Sequence, residues 1–559
     1  MNAPLKTYSF TSGPAVLINQ LCREIEFETV LNRILPWDKS RCNLSPGARI
    51  KALVINVLSG KDPLCHVKRF YRDQDVELLF GKGVTADAFN DDSLARALDK
   101  LYEAVPWKVY SSLSIHAMRK LGLPIGALHN DTTSMSLEGA YEREADLRIV
   151  RGHSKDHRPD LKQIMLGLAV TSDRIPVLAN VENGNTSDKT WNFTFIRKLR
   201  QTLSQEDWQN LLYVADSALI TKRNLKYMRR LHLRFVSRLP DLFSVCEEVK
   251  QEAWASGAWQ EVGMLSSGPS AAEYRLQSME RQIEGRTFRL IVVYSSNLDE
   301  RKKRAFEATL QKEEERLTRL LRKLEETEFH CEADAQQAIQ AFANEHHSRW
   351  FCCNVSVQEV TRPAKRSGRG RPKKDDVTLV EKVYVPKLQQ LVRDEAAVEA
   401  EKRLLSTFVL ISNAEAAYTD LHLLRAYKGQ DAAETRFRLL KDPQLVDGIY
   451  LKTPERIAAL GIVLVMALLL YGILEYRIRQ EWDKQKQPLR IPGRGSGYKP
   501  TGQVLLALLQ QIKVMLLQYP DGAVRVLTDN AEELACRVVE MAGYDITIYT
   551  ANPAEIASR

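Results

Sequence analysis

Three carboxylates far apart in the chain could meet in one reaction centre. In IGALHNDTTSMSLEG an apolar segment ends at Asp131, LLYVADSAL runs an apolar strand into Asp216, and Glu434 stands inside YKGQDAAETRFRLLK, Tyr427 to Lys441. Neighbouring β-strands lie about 4.8 Å apart, so acids at matching heights on two of them can share divalent cations. A pair of such ions, about 3.5–4 Å apart, is what an in-line displacement at phosphorus requires. The surroundings of Glu434 suit the same chemistry. A continuous helix is expected over Tyr427 to Lys441, because Ala, Leu, Arg and Glu dominate it, no proline interrupts it and its glycine falls in the first turn. At about 100° per residue, Tyr427, Glu434 and Lys441 fall within roughly 20° of one line, with Gln430 and Arg438 beside them. Ala432, Ala433, Leu439 and Leu440 form the opposite, apolar face. Taken singly, a strand-terminal aspartate is commonly a turn former and a charged helix a solvated face. The weight lies in the three acids together.

Cations gather in two further segments. RGHSKDHRPDLKQ, Arg151 to Gln163, puts Arg151, His153, Lys155, His157 and Arg158 in one loop, able to hold phosphates or simply to face solvent. His153 and His157 are too loosely placed for a zinc site. RSGRGRPKK, Arg366 to Lys374, resembles an AT-hook, in which Arg369 and Arg371 would follow a narrow minor groove; a solvated basic loop would look the same. After NGNTS, Ser187 or Asp188 is read as the N-cap of the next helix, in preference to Asp188 as a fourth acid.

The elements that must position these groups belong to an α/β chain. Residues 1–120 read as a helical domain: LINQLCREIEFETVLNRIL is amphipathic, Ser45-Pro46 opens a second helix, and Asn90 to Ala104 offers a third with an acidic first turn. Arg41, Arg49, Lys51, Lys68 and Arg69 would let three such helices grip DNA as a helix-turn-helix; a packing or dimerisation module fits the pattern equally. From Leu121 the period becomes that of strands. QIMLGLAV and IPVLANVENG follow the Asp131 segment, a helix spans roughly Asp188 to Leu203, and LLYVADSAL and LHLRFVSRL supply two more strands. The interval from Asp216 to Glu434 exceeds what such a sheet needs, so a domain is inserted. Its first part, EYRLQSMERQI and TFRLIVVYSS, has hairpin character. Its second, Glu300 to His347, reads as an antiparallel helical hairpin with Leu310, Leu317 and Leu324 at heptad spacing. Near the end, GQVLLALLQQIKVMLLQ is expected as one amphipathic helix, and Val524 to Tyr549 as a small α/β cap.

The segment around Glu434 resembles the Tyr-x2-Arg-x3-Glu-x6-Lys signature of bacterial insertion-sequence transposases of the Asp-Asp-Glu type. Tyr427, Glu434 and Lys441 match it; Gln430 stands where the family has Arg and cannot make the bidentate phosphate contact. Ala215-Asp216-Ser217-Ala218 is similar to the family's second-Asp motif, and RGHSKDHRPDLKQ to a segment common in the group. The resemblance implies a ribonuclease H-like catalytic domain, in which the first and fourth strands are neighbours, interrupted by a large β-plus-helical insertion. The domains would be 1–120 for DNA-end binding, 121–239 and 403–480 for catalysis, 240–402 for the insertion and 481–559 for self-association. It further implies that Asp131, Asp216 and Glu434 bind Mg2+, with Mn2+ as a substitute, that Tyr427 and Lys441 touch terminal phosphates with Arg438 as a helper, and that the active complex is a homodimer on element ends and target DNA. A DNA hairpin could be stabilised by a tryptophan of the insertion, with Trp254, Trp259 and Trp350 available; tryptophans in such settings are more often core. The alternative is a domesticated or nuclease-only relative lacking strand transfer.

Composition agrees with a nucleic-acid partner without requiring one, since 80 Lys and Arg against 71 Asp and Glu leave a mild excess of +9. Eight cysteines without CxxC pairs suit a reduced, cytoplasmic chain, and MNAPLKTYSFTSG lacks the apolar core of a signal peptide. The uncharged run from Ile457 to Leu474 is long enough for a membrane. It is expected instead as a helix buried within the α/β domain.

Overall fold

The computed structural model describes residues 4–60, 62–143, 145–266, 271–363, 380–442, 451–484, 491, 493, 499–520, 522–528 and 533–552. The chain is mixed α/β and divides into two units, Met1–Pro240 with Ile411–Arg559, and Asp241–Leu410. Segments 1–120, 121–239 and 481–559 fall in the first unit, together with 403–480 apart from its first eight residues; the second takes in 241–402 of the insertion.

The first unit is built on a large mixed sheet. Numbering only the elements that bear on the site, its strands are β1 (Ala127–Leu137), β2 (Lys162–Thr171), β3 (Pro176–Asn183), β4 (Leu212–Ala215) and β5 (Arg234–Arg238), in the order β3-β2-β1-β4-β5. β1 to β3 form an antiparallel meander, whereas β4 runs parallel to both β1 and β5. β2 and β4 are apolar and buried along nearly their whole length, as strands covered on both faces must be. Helix α1 (Asp188–Thr202) joins β3 towards β4, and its Trp191 ring lies where a side chain at Gly167 of β2 would begin, 1.8 Å from an added Cβ. Only glycine fits there.

Three later helices bear on the site: α2 (Asp420–Lys428), α3 (Asp431–Leu440) and α4 (Pro454–Lys484). α3 packs on β1 and β2, and α4 packs on β3 and on the N-terminal helices Pro46–Ser59, Asp91–Glu103 and Pro106–Lys120. The apolar run therefore serves as a core helix: within Pro454–Trp482, the described helix long and apolar enough to cross a membrane, 94% of the apolar window is buried.

Several local expectations are corrected. The helix expected over Tyr427 to Lys441 is two helices, because the chain turns at Gly429 and Gln430. Gly429 rests against the His129 ring, which an added Cβ would approach to 3.0 Å, and the turn is closed by bonds from Gln430 N to Tyr427 O and from Ala432 N to Gly429 O. Tyr427 thus lies in the last turn of α2, and the alignment with Glu434 and Lys441 on one helix face is lost. LINQLCREIEFETVLNRIL is likewise split, into Gly13–Glu24 and Phe27–Ile34, at the left-handed Glu26. QQIKVMLLQ does not extend the helix Gly502–Leu509 but forms the strand Val514–Tyr519, flanked by Lys6–Phe10 and Gly522–Leu527.

Ser45 does cap its helix, accepting from Ala48 N at 3.1 Å. The basic side chains expected to grip DNA there are engaged within the protein. Lys51 is buried, donating to Asn19 Oδ1 at 2.7 Å and Leu79 O at 3.0 Å and pairing with Glu28. Lys68 pairs with Asp87, Arg69 with Asp62 and Arg41 with Asp38, while Arg49 donates to Leu44 O. The C-terminal segment packs on this helical part through a buried Asp75–Arg525 pair and the Tyr549 hydroxyl, which donates to Gly13 O.

In the second unit, Glu273–Ile283 and Arg286–Ser295 form the expected hairpin, turning at Glu284 and Gly285, both left-handed as a tight primed turn requires. Helices Glu300–Glu325 and Glu332–Glu345 pack on a long hairpin of Phe351–Pro363 and Val380–Arg393, which supplies the core for Leu310, Leu317 and Leu321. Trp254 packs at a tilt on Trp259 and edge-on to Tyr294, and Trp350 meets Phe306 edge-on, so all three tryptophans take part in internal packing.

Candidate active site

The parallel register of β1 and β4 pairs Asn130 with Ala215. The next step along both strands brings Asp131 level with Asp216, which is the first residue beyond β4. The same register between β4 and β5 pairs Ala215 with Ser237, so Arg238 is level with Asp216 in turn. Two acids and an arginine therefore form a row across three neighbouring strands. Asp131 lies within β1, which runs on to Leu137. Asp216 caps the short turn Ser217–Leu219, its carboxylate accepting from Ala218 N at 3.1 Å, while its carbonyl accepts from the Ser237 hydroxyl at 2.7 Å.

A third acid joins them. Ser187 caps α1, accepting from Thr190 N, which leaves Asp188 at the first helical position able to turn inward. Its Oδ1 accepts from the Thr132 hydroxyl at 2.6 Å. Lys155, from the basic loop, donates to the Thr132 carbonyl at 2.7 Å and hydroxyl oxygen at 2.8 Å, and stands 3.7 Å from both Asp131 Oδ1 and Asp188 Oδ2. Burial pushes the Asp131 carboxyl up to about 6; Lys155 and a hydrogen bond from Thr132 N pull it down, and the charges of Asp216 and Asp188 push it further up. Asp216 is raised for the same first reason, burial, and then by Asp188. Burial is thus the first cause of both shifts, and neighbouring carboxylates add to it.

The basic loop is held along β1. Lys155 N donates to Ser134 Oγ at 2.8 Å, and Arg158 is bound to Asp160, whose carbonyl also accepts from Arg151. Asp156 accepts from Ser134 and Ser136 and is paired with Lys441 at the end of α3. Lys441 and Lys155, both expected to contact phosphates, thus have intramolecular partners. Tyr427 is half-buried; burial raises its hydroxyl, the charge of Arg238 lowers it and that of Asp216 raises it.

Glu434 is exposed on α3, whose other side buries Ala432, Ala433, Arg436, Phe437, Leu439 and Leu440; Arg438 is exposed as well. Asp131 and Asp216 lie level on neighbouring strands, Asp188 meets Asp131 across Lys155, and Glu434 is an exposed residue of α3. Among the described residues, no three His, Cys, Asp or Glu side chains are grouped so as to hold a metal ion. The donor chemistry still suits a hard divalent cation, since the clustered groups are oxygen donors whose crowding a cation would relieve. Arg369 and Arg371 lie outside the described residues.

Asp156, Thr132 and Arg238 were not singled out from the sequence, and Asp188 was set aside as a cap. The available signal was the Ser187-Asp188 pair itself: two residues able to cap one helix leave one of them for other work.

Residues 15–115, within the N-terminal helical segment, match a family model described as a domain of unknown function (DUF4277). None of the curated proteins matches the chain.

Proposed function

We propose that this chain is a DNA transposase of the Asp-Asp-Glu type, with a ribonuclease H-like catalytic domain, cleaving element ends and joining them to target DNA. The observation that carries the proposal is the β1–β4 register, which sets Asp131 level with Asp216 on adjacent parallel strands. The strand order β3-β2-β1-β4-β5, with the first and fourth strands adjacent, supports the same fold. In this proposal Asp131 and Asp216 would hold Mg2+ from the sheet, with Glu434 offered from α3. Bound there, the cation would supply positive charge for the phosphodiester oxygens. Tyr427, Arg238 and Lys441 surround the acids with groups that can bind phosphate oxygens and hold the strand in line.

The exposure of Glu434 on α3, with no three acids grouped to hold a metal among the described residues, favours one second reading, a relative confined to binding or nicking DNA. Pre-nicked DNA ends separate the two. Asp131→Asn, Asp216→Asn and Glu434→Gln should each lower strand joining in Mg2+ by more than about a thousandfold while end binding survives. Near-normal joining by Glu434→Gln removes that residue from the site. Nicking without joining by the unaltered protein selects the second reading.

A further inference from the structure

Two consecutive residues of the basic loop occupy opposite halves of the proposed chemistry. Lys155 places an ammonium between Asp131 and Asp188, anchored by two hydrogen bonds to Thr132. Asp156, the next residue, places a carboxylate on Lys441 and is steadied by Ser134 and Ser136. The first is a cation where acids would take a metal; the second is an anion where a lysine would take a phosphate. Both side chains leave one short stretch of loop, which is fixed to β1 where Lys155 N donates to Ser134 Oγ, so displacement of that stretch would move both.

We propose that Lys155 and Asp156 form an internal clasp, in which they stand in for the metal and the DNA phosphate and are exchanged for both together when substrate binds. The proposal rests on the transposase reading of the site. The clasp keeps the crowded acids neutralised and Lys441 covered in the free protein, and couples cation entry to DNA entry. Released, Lys155 is left beside the bound strand with its charge available to a phosphate. A hydrogen-bonded ammonium is exchanged for the incoming ion and a carboxylate for an incoming phosphate, with no covalent change.

Mn2+ binding, read by paramagnetic resonance of the free ion, tests the clasp without any turnover. Lys155→Met should bind Mn2+ about tenfold more tightly than the unaltered protein, the order expected for removing one charge near 4 Å at a partly exposed site. Lys155→Arg, which keeps the charge, should stay within about twofold of it. Asp156→Asn should bind end DNA several-fold more tightly at low salt, with a salt slope steeper by about one phosphate contact. Equal or weaker Mn2+ binding by Lys155→Met, while the unaltered protein binds the ion, overturns the clasp and leaves the metal site standing. Absence of Mn2+ binding by both proteins overturns the metal-based function and the clasp with it.

Discussion

Arg436 pairs with Glu475 at 2.9 Å in a site where the arginine side chain has no exposure to solvent. Its Nε donates to the Arg174 carbonyl at 2.6 Å, and the Tyr471 ring lies 5.1 Å from the guanidinium carbon. The helix that carries Glu434 is therefore pinned to the core helix α4 by a charge two residues from the acid itself. Removing one member of a buried pair leaves the other without compensation. Glu475→Ala should destabilise the protein by about 3–5 kcal/mol, read as a lowered denaturation midpoint in urea. An unchanged midpoint would show that the pair does not hold α3.

Gly167 has the Trp191 ring against its Cα, so Gly167→Ala forces the ring and α1 away from β2. Overpacking of this kind costs about 1–3 kcal/mol and often more where backbone must move. Because Asp188 opens α1, the substitution should also disturb the Thr132–Asp188 hydrogen bond. Thermal unfolding measures the first effect, and a weakened response to added Mn2+ the second.

The raised carboxyl of Asp131 predicts the sign of a pH dependence. An unfolded aspartate titrates near about 3.9, and the folded one near about 6. Between these values the native state holds a proton that the unfolded state has lost, so this group lowers stability progressively as pH rises from about 4 to 6. Its unfavourable contribution is absent below that window and complete above it. Asp131→Asn should flatten this fall and leave the mutant the more stable protein at pH 7, as followed by chemical denaturation at a series of pH values.

Lys51 is a structural residue by its contacts, not a DNA contact. Lys51→Met should lower stability by about 2 kcal/mol, the scale of hydrogen bonds to a charged group. The folded variant should retain the end-DNA affinity and salt slope of the unaltered protein. A slope reduced by about one would return Lys51 to the DNA interface.

Much of the sheet was legible in the sequence because its strands are short apolar runs bounded by polar turns, and such runs keep their character whatever lies beside them. The same holds for the Ser45 cap, where the donor is three residues away. What escaped has its cause elsewhere in the chain. The break after Lys428 falls where Gly429 rests on the His129 ring, far upstream in β1, and local propensity carries no trace of that ring. Val514–Tyr519 is a strand because Lys6–Phe10 and Gly522–Leu527 offer it partners, although its apolar residues would serve a helix as well. Lys51 looked like surface because its three acceptors come from three other segments. Asp188 was hidden by an equally good reason for being there. At the site, residue identities were readable, but the pairing of Lys155 and Asp156 with acids and lysine depended on where a loop settles.

The pairing of Lys6 with Gln518 has a consequence for how the molecule comes into being. Synthesis runs from Lys6 towards Gln518, so that edge strand waits for its neighbour until Val514–Tyr519 has been made. Contacts this distant in order form late and slowly. A product cut short before Val514 would leave Lys6–Phe10 without this partner and Gly13 without the Tyr549 hydroxyl, so such copies should be cleared by proteolysis instead of accumulating.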